Sequence, residues 1–225
     1  MNEDKNSVLE EMGDFFNLRA NDYDSHMLDN VDKVNILYKE IAQPIAATMD
    51  RIEILDIGCG TGLELKAMFE KSPNALITGI DLAKEMLDKL TDKYRDKKNQ
   101  LNLMIGSYLE VPFGKDKFDY AVSVMTLHHF LHEQKVDLYK KVYESLKPGG
   151  IYIEGDYTVS TIEEEKKFLE EYFEVRKAHN IEDGLYHIDI PFTVDTQNLL
   201  LKRGGFENVD VLWSGRTAAI FVCKK

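Results

Sequence analysis

The chain has 225 residues, 44% of them hydrophobic and 30% charged, enough apolar material for one sizeable core with an appended cap. Its formal charge is −12, from 28 basic and 40 acidic residues, which argues against a broad phosphate-tracking surface and hence against nucleic acid as a partner. No run approaches the ~18 apolar residues of a membrane helix. The acidic start "MNEDKNSVLEEMGDFF" lacks the apolar core of a secretion signal, and two cysteines, Cys59 and Cys223, make no disulfide framework. A cytoplasmic protein without a membrane partner is expected.

Residues 1–50 read as a helical cap: Val8, Met12, Phe15 and Phe16 recur at helical spacing, as do Ile36, Ile41 and Ile45. The polar stretch "RANDYDSHM" between them reads as an irregular joint. From residue 51 onward, strands at 52–57, 75–80, 101–105, 118–124 and 150–154 alternate with helices at 62–71, 84–93 and 133–146. "KPGG" marks a turn before the fifth strand. Such alternation implies a parallel sheet with helices on both faces, joined by right-handed crossovers. The ending differs: "NVDVLWSGRTAAIFVCKK" holds two strands joined only by "SGR", and so short a link forces an antiparallel hairpin. Residues 157–192 interrupt the alternation with an amphipathic helix at 162–176 and the polar "KAHNIEDGLYHIDIP", which reads as a lid over the sheet's carboxyl edge. A covering helix resumes at 192–203.

The stretch "ILDIGCGTGLE" at 54–64 brings a strand into a glycine loop and then a helix. A triphosphate loop needs a Gly-Lys-Ser/Thr ending that is missing here. A dinucleotide loop needs a glycine where Leu63 stands, since the glycines are Gly58, Gly60 and Gly62. Close approach of a ligand to the backbone survives as the reason for them. Asp56, at the end of the first strand, would repel a pyrophosphate and attract an ammonium group. Leu63 and Asp56 together disfavour a nicotinamide dehydrogenase. Asp81, ending the second strand, can accept hydrogen bonds from both hydroxyls of a ribose. A ribose anchor, a glycine floor and an ammonium partner match S-adenosylmethionine.

On these residues the chain resembles the class I S-adenosylmethionine-dependent methyltransferases. "ILDIGCGTGLE" is similar to their first motif, and "FDYAVSVMTLHHF" and "LKPGGIYIEGD" resemble their fourth- and fifth-strand motifs. The resemblance implies an α/β three-layer sandwich. Its seven-stranded, mostly parallel sheet would end in the antiparallel hairpin. It also implies S-adenosylmethionine as donor and S-adenosylhomocysteine as product. The implied donor site takes Asp56, Gly58, Cys59, Gly60, Gly62 and Asp81, with Leu82 and Met86 following. Val124 and Met125 come from the fourth strand's end. "RANDYD" resembles a segment whose tyrosine, here Tyr23, closes over the methionine end. Where the family often has an acid near adenine, this chain has Ser107, with Tyr108 to pack on the ring. Cys59 is better explained by small size in a crowded loop than by nucleophilic chemistry.

Methyl transfer needs alignment above all, because the sulfonium already activates the carbon. A base helps only where the acceptor holds a proton. "LHHFLHE" and "LYHIDIPF" nominate His128, His129 and His187 as catalytic or acceptor contacts, with a structural role as the bland alternative. His128 and His132 could share a helical face around a metal, but Val136 breaks the zinc-protease pattern and no metal is expected. The expected activity is methyl transfer to a small-molecule acceptor, and a homodimer stays open. Two other readings stand beside it. One is a relative that modifies the tRNA wobble uridine, using S-adenosylmethionine or a carboxylated derivative, with Arg176 or Arg216 for the extra carboxylate. The other is a non-enzymatic binder of the cofactor.

Overall fold

In the computed structural model, which describes residues 9–30 and 34–225, the chain opens with three short helices, α1 (Met12–Arg19), α2 (Tyr23–Asn30) and α3 (Val34–Glu40). Val8 lies outside the described residues. The alternating part follows as β1 (Glu53–Ile57), α4 (Leu65–Lys71), β2 (Leu76–Asp81), α5 (Lys84–Lys93), β3 (Leu101–Ile105) and β4 (Phe118–Val124). Next come α6 (His132–Ser145), β5 (Leu146–Val159), α7 (Ile162–Ala178), β6 (Phe192–Thr193) and α8 (Val194–Arg203). The hairpin β7 (Asn208–Ser214) and β8 (Ala218–Lys224) completes the chain.

The strands lie in the order β3-β2-β1-β4-β5-β8-β7, with the two-residue β6 added alongside β5. All neighbours are parallel except β8, which runs antiparallel to both β5 and β7. Strand side chains alternate between two faces, and each face has its own apolar core. Leu55, Ile57, Ile80, Tyr152 and Phe221 pack beneath α6 and α8 through Val136, Tyr139, Leu200 and Leu201. Ile54, Ile77, Val122, Ile153 and Ile220 pack against α3, α4 and α5 through Leu37, Leu65, Met68 and Leu90. Helices on both faces of one sheet make the expected three-layer sandwich. None of the described helices is long and apolar enough to cross a membrane.

Four local expectations need correction. "RANDYDSHM" is largely helical: Met27 is buried in α2, and one apolar anchor suffices to hold a polar surface helix in place. Ile36 faces outward, because Val34, Leu37 and Tyr38 take the buried side of α3. "KPGG" belongs to β5 rather than preceding it; the register slips between Phe118 and Tyr120 and absorbs the extra residues as a bulge. Phe192 and Thr193 form β6 instead of opening α8, whose first turn is capped where Thr193 Oγ1 accepts from Thr196 N at 3.2 Å.

α7 owes its start to a reciprocal cap: Thr161 Oγ1 accepts from Glu164 N at 3.2 Å and Glu164 Oε2 accepts from Thr161 N at 3.1 Å. It leads into the segment that returns over the carboxyl edge of the sheet. That segment is pinned to α1: Met12 N donates to Leu185 O at 2.9 Å, and Glu11 pairs with Tyr186 as an antiparallel bridge.

Between β5 and α6 the core is polar. Lys135, only 1% exposed, donates to Gln197 Oε1 at 2.9 Å and lies 3.9 Å from Glu154 Oε1 and 3.8 Å from Asp156 Oδ2. Tyr139 and Tyr152 donate to Glu154 at 3.1 and 2.9 Å. Burial pushes Glu154 up to about 7, with the Lys135 ammonium pulling the other way. Lys135→Met leaves the two carboxylates without their cation, and is expected to lower the unfolding free energy by ~3–5 kcal/mol, read from urea titration. An unchanged midpoint would show that the buried charge has no structural role.

Candidate active site

The strand order reverses between β1 and β4, and open α/β sheets bind ligands in the crevice at such a point. Here the crevice is floored by the loop after β1. Gly58 sits at φ +68°, and a Cβ there would lie 2.2 Å from Thr126 Oγ1, so no other residue fits. Gly60 sits at φ +46° but an added Cβ would meet no protein atom, because it points into the open cleft. Its N–H donates to Asp81 Oδ2 at 2.8 Å, while Asp81 Oδ1 accepts from Ala83 N at 2.8 Å. Asp81 thus ties the tip of β2 to the glycine loop. Burial raises its pKa, partly offset by these N–H donors.

Beneath the loop lie two more buried carboxylates, Asp56 and Glu64. Asp56 is pushed well above the usual range by burial and then by Glu64; burial also lifts Glu64 to about 7. Asp56 Oδ2 and Glu64 Oε1 are cut off from solvent without a hydrogen-bond partner. The buried Asp56 and Glu64, with the partly buried Asp81 above them, suit a cationic ligand and would oppose a phosphate. The fit to a sulfonium- and ammonium-bearing donor is therefore good.

Of the nominated donor residues, Tyr23, Gly58, Gly60, Asp81, Leu82, Met86, Tyr108 and Met125 line the cleft. Asp56, Cys59, Gly62, Ser107 and Val124 stand behind or beside this lining. The Cys59 sulfur packs over Gly79, where an added Cβ would lie 2.8 Å away, and burial raises its thiol pKa. Gly62 packs against Leu65 and Leu90. Met125 takes φ +53°, an uncommon conformation for a side chain of its size, and is held by its N–H on Gly155 O at 2.8 Å. Met12, Phe16 and Thr126 also line the cleft, and sequence reasoning missed them in that role. Met12 and Phe16 showed only as an apolar helix stripe; Thr126 directly follows Met125.

The histidines gather beside this cleft. A 3₁₀ turn at Leu127–His129 ends β4's extension, and both His128 and His129 are buried. His128 Nδ1 pairs with Asp156 Oδ1 at 2.6 Å, so the ring is held from β5. Burial lowers the His128 pKa, but the Asp156 carboxylate outweighs it and the net shift is upward. His129 Nδ1 lies 3.2 Å from Ile188 O and 3.3 Å from Asp189 Oδ1. His128 Nε2 lies 3.7 Å from the same Asp189 oxygen. His187 stacks on Phe15 with centroids 3.6 Å apart, and burial followed by the His129 charge lowers it to about 4. Asp189 is held below the usual carboxylate range: burial works against this, and His129 and His128 overcome it. His132 is elsewhere, stacked on Phe192 at 4.4 Å and 3.9 Å from Glu165 Oε1. The fifth-strand motif already contained Asp156, but nothing local marked it as the partner of His128.

Comparison with known proteins agrees with this geometry. Residues 54–150 match the family model described as a methyltransferase domain. The chain is 30% identical over 188 residues to a carboxy-S-adenosyl-L-methionine synthase of Trichodesmium erythraeum, covering 78% of this chain and 73% of that protein. It is 29% identical over 181 residues to 24-methylenesterol C-methyltransferase 2 of Arabidopsis thaliana, covering 77% of this chain and 46% of that one. Among solved structures, DhpI with S-adenosylhomocysteine superposes with a TM-score of 0.68 at 14% identity, covering 93% of each chain. Human N-acetylserotonin methyltransferase with S-adenosylmethionine gives 0.61 at 18% identity, covering 88% of this chain and 53% of that chain.

Asp81→Ala is expected to weaken S-adenosylmethionine binding by ~1.5–3 kcal/mol in calorimetry, the scale of a charged hydrogen-bond partner; unchanged affinity in a folded variant would place the ribose elsewhere. Gly60→Val puts a side chain into space free of protein atoms but holds a β-branched residue at φ +46°, so donor binding should be lost in calorimetry while the strained loop costs some stability, read separately by urea titration. Retained affinity would contradict close approach of the ligand to this backbone.

Proposed function

We propose that this chain, which belongs to the class I S-adenosylmethionine-dependent methyltransferases, transfers the methyl group to a small molecule held between the donor cleft and the histidine cluster. The chain is an enzyme, and S-adenosylmethionine is its methyl donor. What favours a small acceptor is a shared roof. Phe16 of α1 lines the donor cleft while its ring lies 6.3 Å from that of His129 and 5.7 Å from that of His187. In this reading the acceptor sits beneath α1 and the lid segment, an enclosed setting that suits a small molecule better than a polymer. The charge of −12 points the same way.

In this reading Asp81 takes the ribose, the glycine loop passes along the amino-acid part, and the buried carboxylates below balance the donor's positive charge. Tyr23 and Met125 flank the transferring methyl. His128, His129 and His187 contact the acceptor. The reaction is a displacement in which the new bond to the acceptor forms as the carbon–sulfur bond breaks, leaving S-adenosylhomocysteine. Alignment of the two partners carries most of the acceleration.

A second reading has support from relatives named carboxy-S-adenosyl-L-methionine synthase, one of them 30% identical to this chain. Making a donor with an added carboxylate favours a basic residue near the methyl group. Among the described residues, no side chain lining the cleft is basic. Arg176 is committed to the lid backbone, donating to Glu182 O at 2.9 Å and Gly184 O at 3.2 Å. Arg216 stands in the turn between β7 and β8. The tRNA reading would in addition need a basic surface that the overall charge opposes.

Methyl-labelled donor offered to a metabolite extract and to tRNA should label the small-molecule fraction. Label in tRNA, or a donor whose mass rises by one carboxyl group, would replace this reading with one of the others.

A further inference from the structure

We propose that His128, His129 and Asp189 form a binding site for one divalent transition-metal ion of the zinc class. One ligand atom from each residue lies within 4.8 Å of the other two. The two measured edges, 3.3 Å from His129 Nδ1 and 3.7 Å from His128 Nε2 to Asp189 Oδ1, are near the ~3.3 Å edge of a tetrahedron with metal–ligand bonds of about 2.0–2.1 Å. A small contraction of side chains closes the difference, and His129 binds the ion as its Nε2–H tautomer, giving up the Nδ1 contact with Ile188 O at 3.2 Å.

Two independent features support a metal over a plain hydrogen-bonded cluster. Asp189 Oδ1 is cut off from solvent and accepts no aligned hydrogen bond, although both imidazoles approach it. Such an orphaned anionic oxygen is costly to bury and is satisfied by a cation. The second feature is the partner of His128. Its Nδ1 is held by Asp156 Oδ1 at 2.6 Å, which leaves Nε2 as the nitrogen directed to Asp189. A carboxylate on the far nitrogen of a ligating histidine is the usual outer-shell support of such sites. Two imidazoles and one carboxylate are a donor set for zinc-like ions, and three protein ligands leave a position open. The third ligand comes from the lid, so the set closes only when the lid is seated.

The metal site stands on these residues alone. Its chemical use rests on the methyl-transfer reading: the open position would take an oxygen of the acceptor, bringing an alcohol, phenol or enol beside the methyl group and favouring its deprotonated form.

The test uses the full chain, stripped with a chelator and titrated with Co²⁺ and then Zn²⁺. One equivalent of Co²⁺ should bind with visible ligand-field bands that Zn²⁺ bleaches. Asp189→Asn and His129→Ala should each lower Co²⁺ affinity by more than ~10-fold, the scale at which even outer-shell changes act. His132→Ala, outside the cluster, should not. Absence of a bound equivalent, or equal affinity in wild type and Asp189→Asn, overturns the site. Asp189 has a side chain 41% exposed, so its variant carries the test even if His129→Ala fails to fold. Calorimetry with S-adenosylmethionine on the same metal-free protein separates the two proposals. Donor binding without Co²⁺ binding removes the metal site alone, and Co²⁺ binding without donor binding keeps the site and removes the methyl-transfer reading.

Discussion

Asp156 is the point on which fold and site both hang. One of its oxygens faces the buried Lys135 at 3.8 Å and the other holds His128 at 2.6 Å. Through Lys135 it joins the polar network of Glu154, Gln197 and two tyrosines that ties β5 to α6 and α8. Through His128 it sets the orientation of the first ring in the histidine cluster. A carboxylate 2% exposed needs both partners, because desolvating a lone charge costs far more than any single contact returns. The core behind the site and the histidine in front of it are therefore positioned by the same group.

The donor half follows a similar logic at a different strand. Asp81 is usually thought of as a ligand contact in such clefts, yet here each of its oxygens already accepts a backbone N–H of 2.8 Å. It shapes the glycine loop through these two bonds alone. Asp56 and Glu64 underneath, both held above the usual carboxylate range, line the floor with acidic groups whose ionisation a cationic ligand would favour. The cleft is thus shaped by Asp81 and made acidic by the Asp56–Glu64 pair beneath it.

How much of this was legible beforehand depended on how local each constraint was. The alternation of strand and helix segments exposed the sheet, and the short "SGR" link exposed the hairpin, because both are rules about neighbours in sequence. The spacing of Gly58, Gly60 and Gly62 exposed the ligand loop for the same reason. Phe16 was visible as part of a helix stripe, but whether such a stripe meets core or cleft is decided by tertiary packing. The supposed His128–His132 pair failed because the helical register does not run through it: residues 127–129 form a 3₁₀ turn and α6 starts afresh at His132. The actual neighbours of His128 and His129, Asp156 and Asp189, come from β5 and from the lid, and contacts of that range leave no spacing to read.

The pinning of α1 to the lid has a kinetic meaning. The Met12–Leu185 and Glu11–Tyr186 backbone contacts join the two segments that cover the crevice. Met12 and Phe16 cover the donor end, and Phe15 and Phe16 touch the histidine end. One helix therefore touches both the cleft and the histidine cluster. On the methyl-transfer reading proposed above, any movement of α1 that frees one of these ends would free the other as well, a coupling that would favour turnover through a ternary complex over a cycle in which each substrate comes and goes alone.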